Sequence, residues 1–247
     1  MIQIYGNTHC GMVREQNQDC FVTRVIDEKT GYAIVCDGMG GAKAGDVASS
    51  AACSVIDEHF KKNIRAGLSE ITVRNIISSA MQSANKKVYN LSNENDDYRG
   101  MGTTVALVIV DDKKVYLAHV GDSRIYVNDG EIAAQLTTDH TVVQDKLSKG
   151  EITAEDARIH PQRHHLTNVL GVFPVMKFDY DLYEGFDAGM SLLLCSDGLS
   201  NYLGVQQLPM LLKQAQAAKS AEPLIEFANG KGGHDNVTAV VVAKSDR

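Results

Sequence analysis

Several features are scarce in this sequence, and each scarcity excludes a class of protein. The five cysteines are odd in number, lie far apart and form no C-x-x-C pair, which indicates neither a disulfide framework nor a zinc site. No stretch approaches the roughly 18 consecutive apolar residues of a membrane span, and the first residues show no basic and apolar signal segment. We therefore expect a soluble, cytoplasmic protein without direct membrane insertion.

Positive charge is also in the minority. Lysine and arginine number 24 against 31 aspartates and glutamates, a net charge of −7, which argues against a nucleic-acid partner. The four prolines form no linker, and no internal repeat or low-complexity tract interrupts the chain. With 247 residues, 44% of them apolar, the sequence predicts a single domain over residues 1–247.

Strand-like and helix-like segments occur in separate runs, which favours an α+β fold over a doubly wound parallel sheet. Short β-branched or aromatic segments predict strands at 1–6, 20–26, 32–37, 103–110, 114–121, 123–130, 175–183, 190–197 and 236–243. Apolar spacings of three and four predict helices at 42–62, 70–91, 206–217 and 222–229. Residues 139–171, which we call the excursion, are polar and rich in histidine and predict a mobile, partly helical segment over the body of the fold.

The segment VCDGMGGAKAGDVAS, residues 35–49, places a glycine-rich turn between a strand and a helix. Such turns often hold phosphate groups, because their backbone N–H groups can approach an anion closely. Two familiar phosphate loops fail here: the dinucleotide fingerprint needs glycine where Lys43 stands, and the P-loop needs glycine where Ala42 stands. A different explanation is required for the carboxylate of Asp37 at the mouth of the turn.

A carboxylate beside a phosphate pocket repels the anion unless a cation lies between them. Mg²⁺ and Mn²⁺ prefer carboxylate, carbonyl and water oxygens, and either ion would reverse the local sign of charge at Asp37. Gly38 would leave room for a metal ion to meet a main-chain carbonyl. This hypothesis predicts that other acidic residues converge on Asp37.

Three further aspartates have the same local setting. Asp122 and Asp197 each follow an apolar strand, and Asp235 comes just before one. Taken singly, each fits an ordinary turn, since Asp-Gly and similar pairs commonly end strands. Taken together, they predict oxygen ligands on rigid supports for a divalent cation.

The segment REQNQD lies between the first two predicted strands. The guanidinium of Arg14 can hold a phosphoryl group with two N–H bonds, while Asp19 can hold metal-bound water. An ordinary surface arginine is the alternative interpretation when this motif is taken alone.

With these residues assembled, the sequence resembles the metal-dependent serine/threonine protein phosphatases of the protein phosphatase 2C type, in their bacterial form. Six motifs occur in the family's order and span almost the whole chain. They are R-x-x-N-Q-D at 14–19, D-G-M-G-G at 37–41, G-T-T at 102–104, G-D-S-R at 121–124, S-D-G-L at 196–199 and D-N at 235–236.

The resemblance implies a four-layer α-β-β-α sandwich, in which two antiparallel sheets are flanked by helix pairs. It implies a centre of two Mn²⁺ or Mg²⁺ ions per site, with a third, weaker ion. It further implies that phosphoserine and phosphothreonine on proteins are hydrolysed by a bridging metal-bound water, without a phosphoenzyme. The expected partners are phosphorylated proteins, including a bacterial serine/threonine kinase and its targets, and the chain is expected to be a monomer.

Metal ligands carry over from the family to five positions. Asp37 would bridge both ions, and Gly38 would contribute its carbonyl oxygen. Asp197 and Asp235 would complete the shell of the first ion, and Asp122 would help to hold the third.

The resemblance also implies roles around these ligands. Arg14 would hold the substrate phosphate, Asp19 would act through metal-bound water, and Asn236 would lie just outside the ligand shell. Two positions depart from the eukaryotic pattern. Met39 replaces a histidine proposed as general acid, so the proton donor to the leaving group is open, and Gln18 replaces a glutamate; bacterial relatives commonly show both changes.

The histidines have modest interpretations. For those in or beside the excursion, an ordinary solvated loop is favoured over substrate contact; these are His140, His160, His164 and His165. His234 neighbours Asp235 and is a candidate for supporting it. For His119, which lies in a predicted strand, a structural role is favoured.

Two other functions remain open at this point. The first is a non-catalytic module that keeps the fold and senses phosphoproteins or metal, which the complete set of aspartates disfavours. The second keeps the two-metal chemistry but acts on another phosphoester, as a nuclease or a small-molecule phosphatase. The net charge of −7 counts against nucleic acid.

Overall fold

The described part of the chain contains eleven β-strands. The computed structural model describes residues 1–245, and for residues 41–43 only the course of the backbone. The strands are β1 (Ile2–His9), β2 (Asp19–Val25), β3 (Thr30–Met39), β4 (Gly102–Thr103), β5 (Val105–Asp111), β6 (Lys114–Val120), β7 (Arg124–Asn128), β8 (Ala133–Gln135), β9 (Asp179–Glu184), β10 (Ser191–Cys195) and β11 (Val237–Lys244).

These strands form two antiparallel sheets. In the first sheet the order is β1-β11-β10-β7-β8. In the second the order is β2-β3-β5-β6-β9, and the short strand β4 pairs with the end of β3.

Seven α-helices accompany the strands in the described part of the chain. They are α1 (Gly41–Asn63), α2 (Glu70–Glu94), α3 (Val142–Ser148), α4 (Ala154–Ile159), α5 (Asp197–Ser200), α6 (Leu208–Ala218) and α7 (Glu222–Gly230). The two longest helices lie close to their predicted bounds. The Ser69 hydroxyl caps α2 by accepting a bond from the Thr72 N–H, which satisfies one of the free donors of the first turn.

Helices cover the outer face of each sheet. Helices α1 and α2 pack on the second sheet through a buried cluster that includes Ile56 and Ile77. Helices α6 and α7 pack on the first sheet through another, which includes Leu212 and Ile225. The inner faces of the two sheets meet in a third cluster. The predicted four-layer α-β-β-α sandwich is therefore confirmed.

Strand β5 shows why the central strands read as continuous apolar runs. Val105 and Leu107 face the helices, whereas Ala106 and Val108 face the other sheet, and all four are fully buried. Successive side chains of a strand point to opposite faces, and both faces are covered here. The alternating pattern of a half-exposed strand is therefore absent from this segment.

One predicted strand is too long at its start. The prediction covered residues 175–183, but β9 begins at Asp179, and Val175 is 82% exposed. The backbone before β9 instead closes the excursion, because the Asn168 side chain donates a hydrogen bond to the Lys177 carbonyl.

The single-domain prediction for residues 1–247 stays a prediction, and residues 246 and 247 lie outside the described part. Within the described residues, no helix combines the length and apolar character that crossing a membrane requires.

The sandwich brings the ends of strands from both sheets to one edge. Asp19, at the start of β2, is the register partner of Asp37 near the end of β3. Asp197 follows β10 of the other sheet, and Asp235 comes just before β11. Both sheets therefore contribute carboxylates to this edge.

Candidate metal centre

A cavity of about 670 Å³ opens at this edge of the sandwich. The residues predicted from the sequence to form a site and found in its lining are Arg14, Asp37, Gly38, Asp122, Asp197, Asp235 and Asn236. Asp19 lies buried behind the lining. The fold therefore brings together every predicted site residue, although segments as far apart as residues 14 and 236 supply them.

Hydrogen bonds to Thr103 and Thr104 fix the backbone of Asp37. Its N–H donates to the Thr104 hydroxyl at 2.9 Å, and its carbonyl oxygen accepts from the Thr104 N–H at 2.8 Å and the Thr103 hydroxyl at 2.9 Å. These bonds use only the backbone of Asp37, and its side chain lines the cavity. Burial raises the pKa of Asp37 well above its usual range, and the nearby carboxylates, led by that of Asp19, raise it further.

Gly38 occupies a position that admits no side chain. A Cβ atom there would lie 1.9 Å from the Gly45 carbonyl oxygen and 2.7 Å from the Gln18 carbonyl oxygen. The Gly38 N–H donates to the same Gln18 oxygen at 3.1 Å. The end of β3 can therefore pack against the start of α1 only if residue 38 is glycine.

Asp19 links the two sheets. Its Oδ2 accepts hydrogen bonds from the Ser196 and Thr238 hydroxyls, both at 2.7 Å, while its buried Oδ1 has no partner among the described residues. Burial raises the pKa of Asp19 to about 7, even though the two hydroxyls act to lower it. An uncompensated buried oxygen of this kind calls for a cation or a water molecule beside it.

Asp122 lies in the turn between β6 and β7. Burial, with the carboxylates of Asp197 and Asp139, raises the pKa of Asp122 to about 7, although Arg124 acts to lower it. The next residue, Ser123, shares a hydrogen bond of 2.6 Å with the Thr104 hydroxyl. Thr104 thus braces both Asp37 and the turn that carries Asp122.

The loop before β2 brings Arg14 to the rim of the cavity. Arg14 Nη2 donates to Asp235 Oδ2 at 2.8 Å, and this bond raises the pKa of Arg14. Asn236 fixes the loop, because its side-chain amide donates to the Gln16 carbonyl at 2.8 Å and its Oδ1 accepts from the Gln18 N–H at 2.8 Å.

His164 lines the cavity although the sequence favoured an ordinary loop position for it. It reaches the cavity from the excursion, with its Nδ1 3.8 Å from Asp197 Oδ2, and the nearby Asp197 carboxylate raises the pKa of His164. Nothing local in the sequence distinguishes it from His160 or His165. Its place depends on how the excursion folds back, which a motif does not encode.

His119, in β6, contacts Thr138 and His140 rather than the cavity. Its Nε2–H donates to the Thr138 carbonyl at 2.8 Å, and its ring stacks on that of His140 at a centroid distance of 4.6 Å. Burial lowers its pKa. His234, in contrast, lies beside Asp235, and the Tyr202 hydroxyl accepts a bond from its backbone N–H.

The residues at the cavity fit divalent metal ions. Carboxylates from four separate segments face one space, and burial raises the pKa of three of the site's aspartates. Among the described lining residues, only Arg14 and His164 can offer positive charge, and both contact carboxylates at its edge. An all-oxygen donor set of this kind suits Mg²⁺ and Mn²⁺.

Known proteins are similar to this chain in both sequence and fold. Residues 8–240 match the family Protein phosphatase 2C. The chain is 35% identical over 239 residues to the serine/threonine phosphatase stp of Listeria innocua serovar 6a, covering 96% of this chain and 94% of that protein.

Solved structures agree with this match. The serine/threonine phosphatase Stp1 from Staphylococcus aureus superposes with a TM-score of 0.89 at 31% identity, over 100% of this chain and 96% of that one. The catalytic domain of the serine/threonine protein phosphatase PstP, in complex with two manganese ions, gives a TM-score of 0.84 at 31% identity, over 99% of both chains. On this evidence, the chain belongs to the protein phosphatase 2C family.

Proposed function

We propose that this phosphatase hydrolyses phosphoserine and phosphothreonine monoesters on proteins, with Mn²⁺ or Mg²⁺ in the cavity. The single observation that supports the proposal most strongly is the convergence of carboxylates from both sheets on one cavity that has an arginine at its rim. The two manganese ions in the structure of PstP support the choice of metal.

The metal ligands in this proposal are five residues: Asp37, Gly38, Asp122, Asp197 and Asp235. Asp37 would bridge two ions, Gly38 would offer its carbonyl, and Asp122 would contribute to a third, weaker site. Bound divalent cations lower the pKa of water and offset the negative charge of phosphoryl oxygens.

The remaining residues act on the substrate and on the ligands. Arg14 would bind the phosphoryl oxygens with its planar guanidinium, after releasing Asp235. Asp19 would accept a hydrogen bond from water at its unpartnered Oδ1 while Ser196 and Thr238 hold its other oxygen. Water forms a bond to phosphorus as the P–O bond to serine or threonine breaks. The proton that the water gives up balances the one gained by the departing oxygen, so the products are inorganic phosphate and the free hydroxyl.

The natural partners follow from this chemistry. We propose that the substrates are phosphorylated proteins, among them a bacterial serine/threonine kinase and its targets, and that the enzyme acts in the cytoplasm as a monomer.

Phosphate release tests the function directly. The purified protein is expected to release phosphate from phosphoserine and phosphothreonine peptides when Mn²⁺ is present, and to lose this activity on chelation or in an Asp197→Ala variant. An Asp96→Ala variant is the matched control, because the Asp96 side chain is 99% exposed.

Competing substrates decide between the alternatives. Nucleotides and oligonucleotides should be hydrolysed much more slowly than phosphopeptides. Faster hydrolysis of either would favour another phosphoester, and metal binding without any turnover would favour a sensor module.

A further inference from the structure

His140 makes two hydrogen bonds to the residue that precedes Asp122. The Gly121 N–H donates to His140 Nδ1 at 3.1 Å, and the His140 backbone N–H donates to the Gly121 carbonyl at 2.9 Å. Gly121 has a φ of 99°, and a Cβ there would lie 2.5 Å from Thr104 Cγ2. The turn that carries Asp122 is thus packed against Thr104 on one side and held by His140 on the other.

The opposite edge of the His140 ring faces a carboxylate. His140 Nε2 lies 3.3 Å from Asp179 Oδ2, at the start of β9. Because the Gly121 N–H is a donor, Nδ1 must offer a lone pair, so Nε2 carries the proton and donates it to Asp179. The carboxylate and the stacked ring of His119 therefore fix both the tautomer and the orientation of His140.

The same residue ties the base of the excursion together. The His140 carbonyl accepts from the Thr167 N–H at 2.8 Å. The Asn168 side chain lies 3.4 Å from His140 Nδ1 and donates to the Lys177 carbonyl at 2.9 Å. The two ends of the segment that carries His164 to the cavity are joined at residue 140.

We propose that His140 is a positioning residue, which holds the Asp122 turn in place for the metal centre and couples that placement to the base of the excursion. The proposal rests on the role of Asp122 in the proposed function. Asp179 acts with His140 as the group that orients the ring. His140 itself does not touch the substrate.

A second metal site is the competing explanation of this cluster. One ligand atom each from His119, His140 and Asp179 lie within 4.8 Å of one another. A metal ion on His140 Nε2 would need the proton to move to Nδ1, where it would oppose the Gly121 N–H. The hydrogen bonds therefore favour a positioning role over metal binding.

Two substitutions separate the two edges of the ring. In a His140→Asn variant, the side-chain oxygen can still accept from the Gly121 N–H, whereas in His140→Gln the amide reaches towards Asp179 instead. We expect His140→Gln to lower kcat and weaken the lowest-affinity Mn²⁺ binding step by about tenfold or more. His140→Asn should keep most of the wild-type kcat and Mn²⁺ affinity. A purely structural role would not distinguish the two variants in this way.

Nitrogen-15 NMR of histidine in the metal-free wild-type protein tests the geometry without any variant. The His140 ring should show a protonated Nε2 and a bare Nδ1, and a proton on Nδ1 would overturn the proposal. Titration with Zn²⁺, with the aspartates of the cavity saturated by Mg²⁺, should leave the His119 and His140 signals in place. A shift of both signals that is complete at one equivalent of Zn²⁺ would establish a metal site and also overturn the proposal.

A double variant tests whether His140 acts through Asp122. The activity of Asp122→Asn with His140→Gln should equal that of Asp122→Asn alone, and fully additive losses would exclude the coupling. If Asp122→Asn alone matches the wild type, the positioning role fails while phosphatase activity stands. If the wild type has no metal-dependent activity, the proposed function itself has failed, and the NMR result still decides the geometry.

Discussion

Arg14 and Asp235 are 221 positions apart in the sequence and are joined by a hydrogen bond of 2.8 Å at the rim of the cavity. Their side chains are 55% and 37% exposed, so this ion pair contributes little to stability, on the order of 1 kcal/mol or less. The pair can therefore open at small cost. The guanidinium is then available to an incoming phosphoryl group, and the carboxylate is available to a cation.

Removal of Arg14 should weaken substrate binding. We expect Arg14→Ala to raise KM for a phosphopeptide by about ten- to hundredfold, since a hydrogen bond to a charged group contributes about 1.5–3 kcal/mol. Arg14→Lys should fall between, because lysine cannot form the two-pronged contact. Steady-state kinetics at saturating Mn²⁺ measure the effect, with Arg99→Ala as the control on an 84% exposed arginine. An unchanged KM would contradict the role of Arg14.

Removal of charge from Asp37 should have opposite effects on activity and on stability. Asp37→Asn should abolish metal-dependent hydrolysis, yet raise the melting temperature of the metal-free protein, because burial, and then repulsion from the neighbouring carboxylates, disfavours a charge at this position. The rise in melting temperature on adding Mn²⁺ should shrink in parallel. Differential scanning fluorimetry with and without chelator measures both, and Asp96→Asn is the control. A variant that is less stable without metal would show that the contacts of Asp37 outweigh the repulsion it experiences.

The metal-free protein should lose stability as the pH rises. The pKa values of Asp19 and Asp122 are raised from 3.8 to about 7. Between about pH 4 and 7 the folded state therefore holds protons that the unfolded state has released, so the free energy of unfolding falls as pH increases, by up to about 1.4 kcal/mol per pH unit for each proton.

Melting temperatures from pH 5 to 8 check this direction. The stability from these two groups is fully present below about pH 4 and is lost as the pH passes about 7. Asp122→Asn should give a shallower dependence. Saturating Mn²⁺ should suppress the fall, because cations replace the protons at the carboxylates. A melting temperature that climbs with pH in the metal-free protein would argue against the raised pKa values.

The Thr104 hydroxyl should stabilise the site through its hydrogen bonds to the Asp37 N–H and the Ser123 hydroxyl. Thr104→Val keeps the shape of the side chain but leaves the Asp37 N–H and the Ser123 hydroxyl without this partner. We expect a loss of about 1–3 kcal/mol in the free energy of unfolding and a lower kcat. Urea unfolding and steady-state kinetics measure the two effects, with Thr23→Val on β2 as the control. Equal effects in both variants would show that the hydroxyl has no special role.

The parts of the fold with strong local patterns were predictable from the sequence. The helices near residues 42–62 and 70–91 follow from apolar spacing, and the four-layer sandwich was implied by the family resemblance that the motifs carry. The strand predicted at 175–183 was wrong over its first four residues, because Met176 and Phe178 alternate into the core as a strand would, yet the pairing with β6 begins only at Asp179. Local periodicity cannot distinguish a paired segment from an unpaired one.

In the site, too, some residues could be predicted from local motifs and some contacts could not. Motifs marked Asp37, Asp122, Asp197 and Asp235, since each lies at a strand end that a pattern can locate. The contact of His164 with Asp197 could not be predicted in this way, because it depends on the path of a long, irregular segment. The motifs also contain Thr104, Ser123 and Ser196, but a motif does not show which backbone group or carboxylate each hydroxyl contacts.

Residues from both sheets form the cavity, and this has a consequence for a chain that is still folding. Asp37 stands at the end of one sheet, and Asp197 and Asp235 stand at the end of the other. If these residues hold the metal ions as proposed, a chain in which only one sheet has formed would lack part of the ligand set and would not hydrolyse phosphoserine or phosphothreonine. Phosphatase activity would then appear only once the two sheets have packed together.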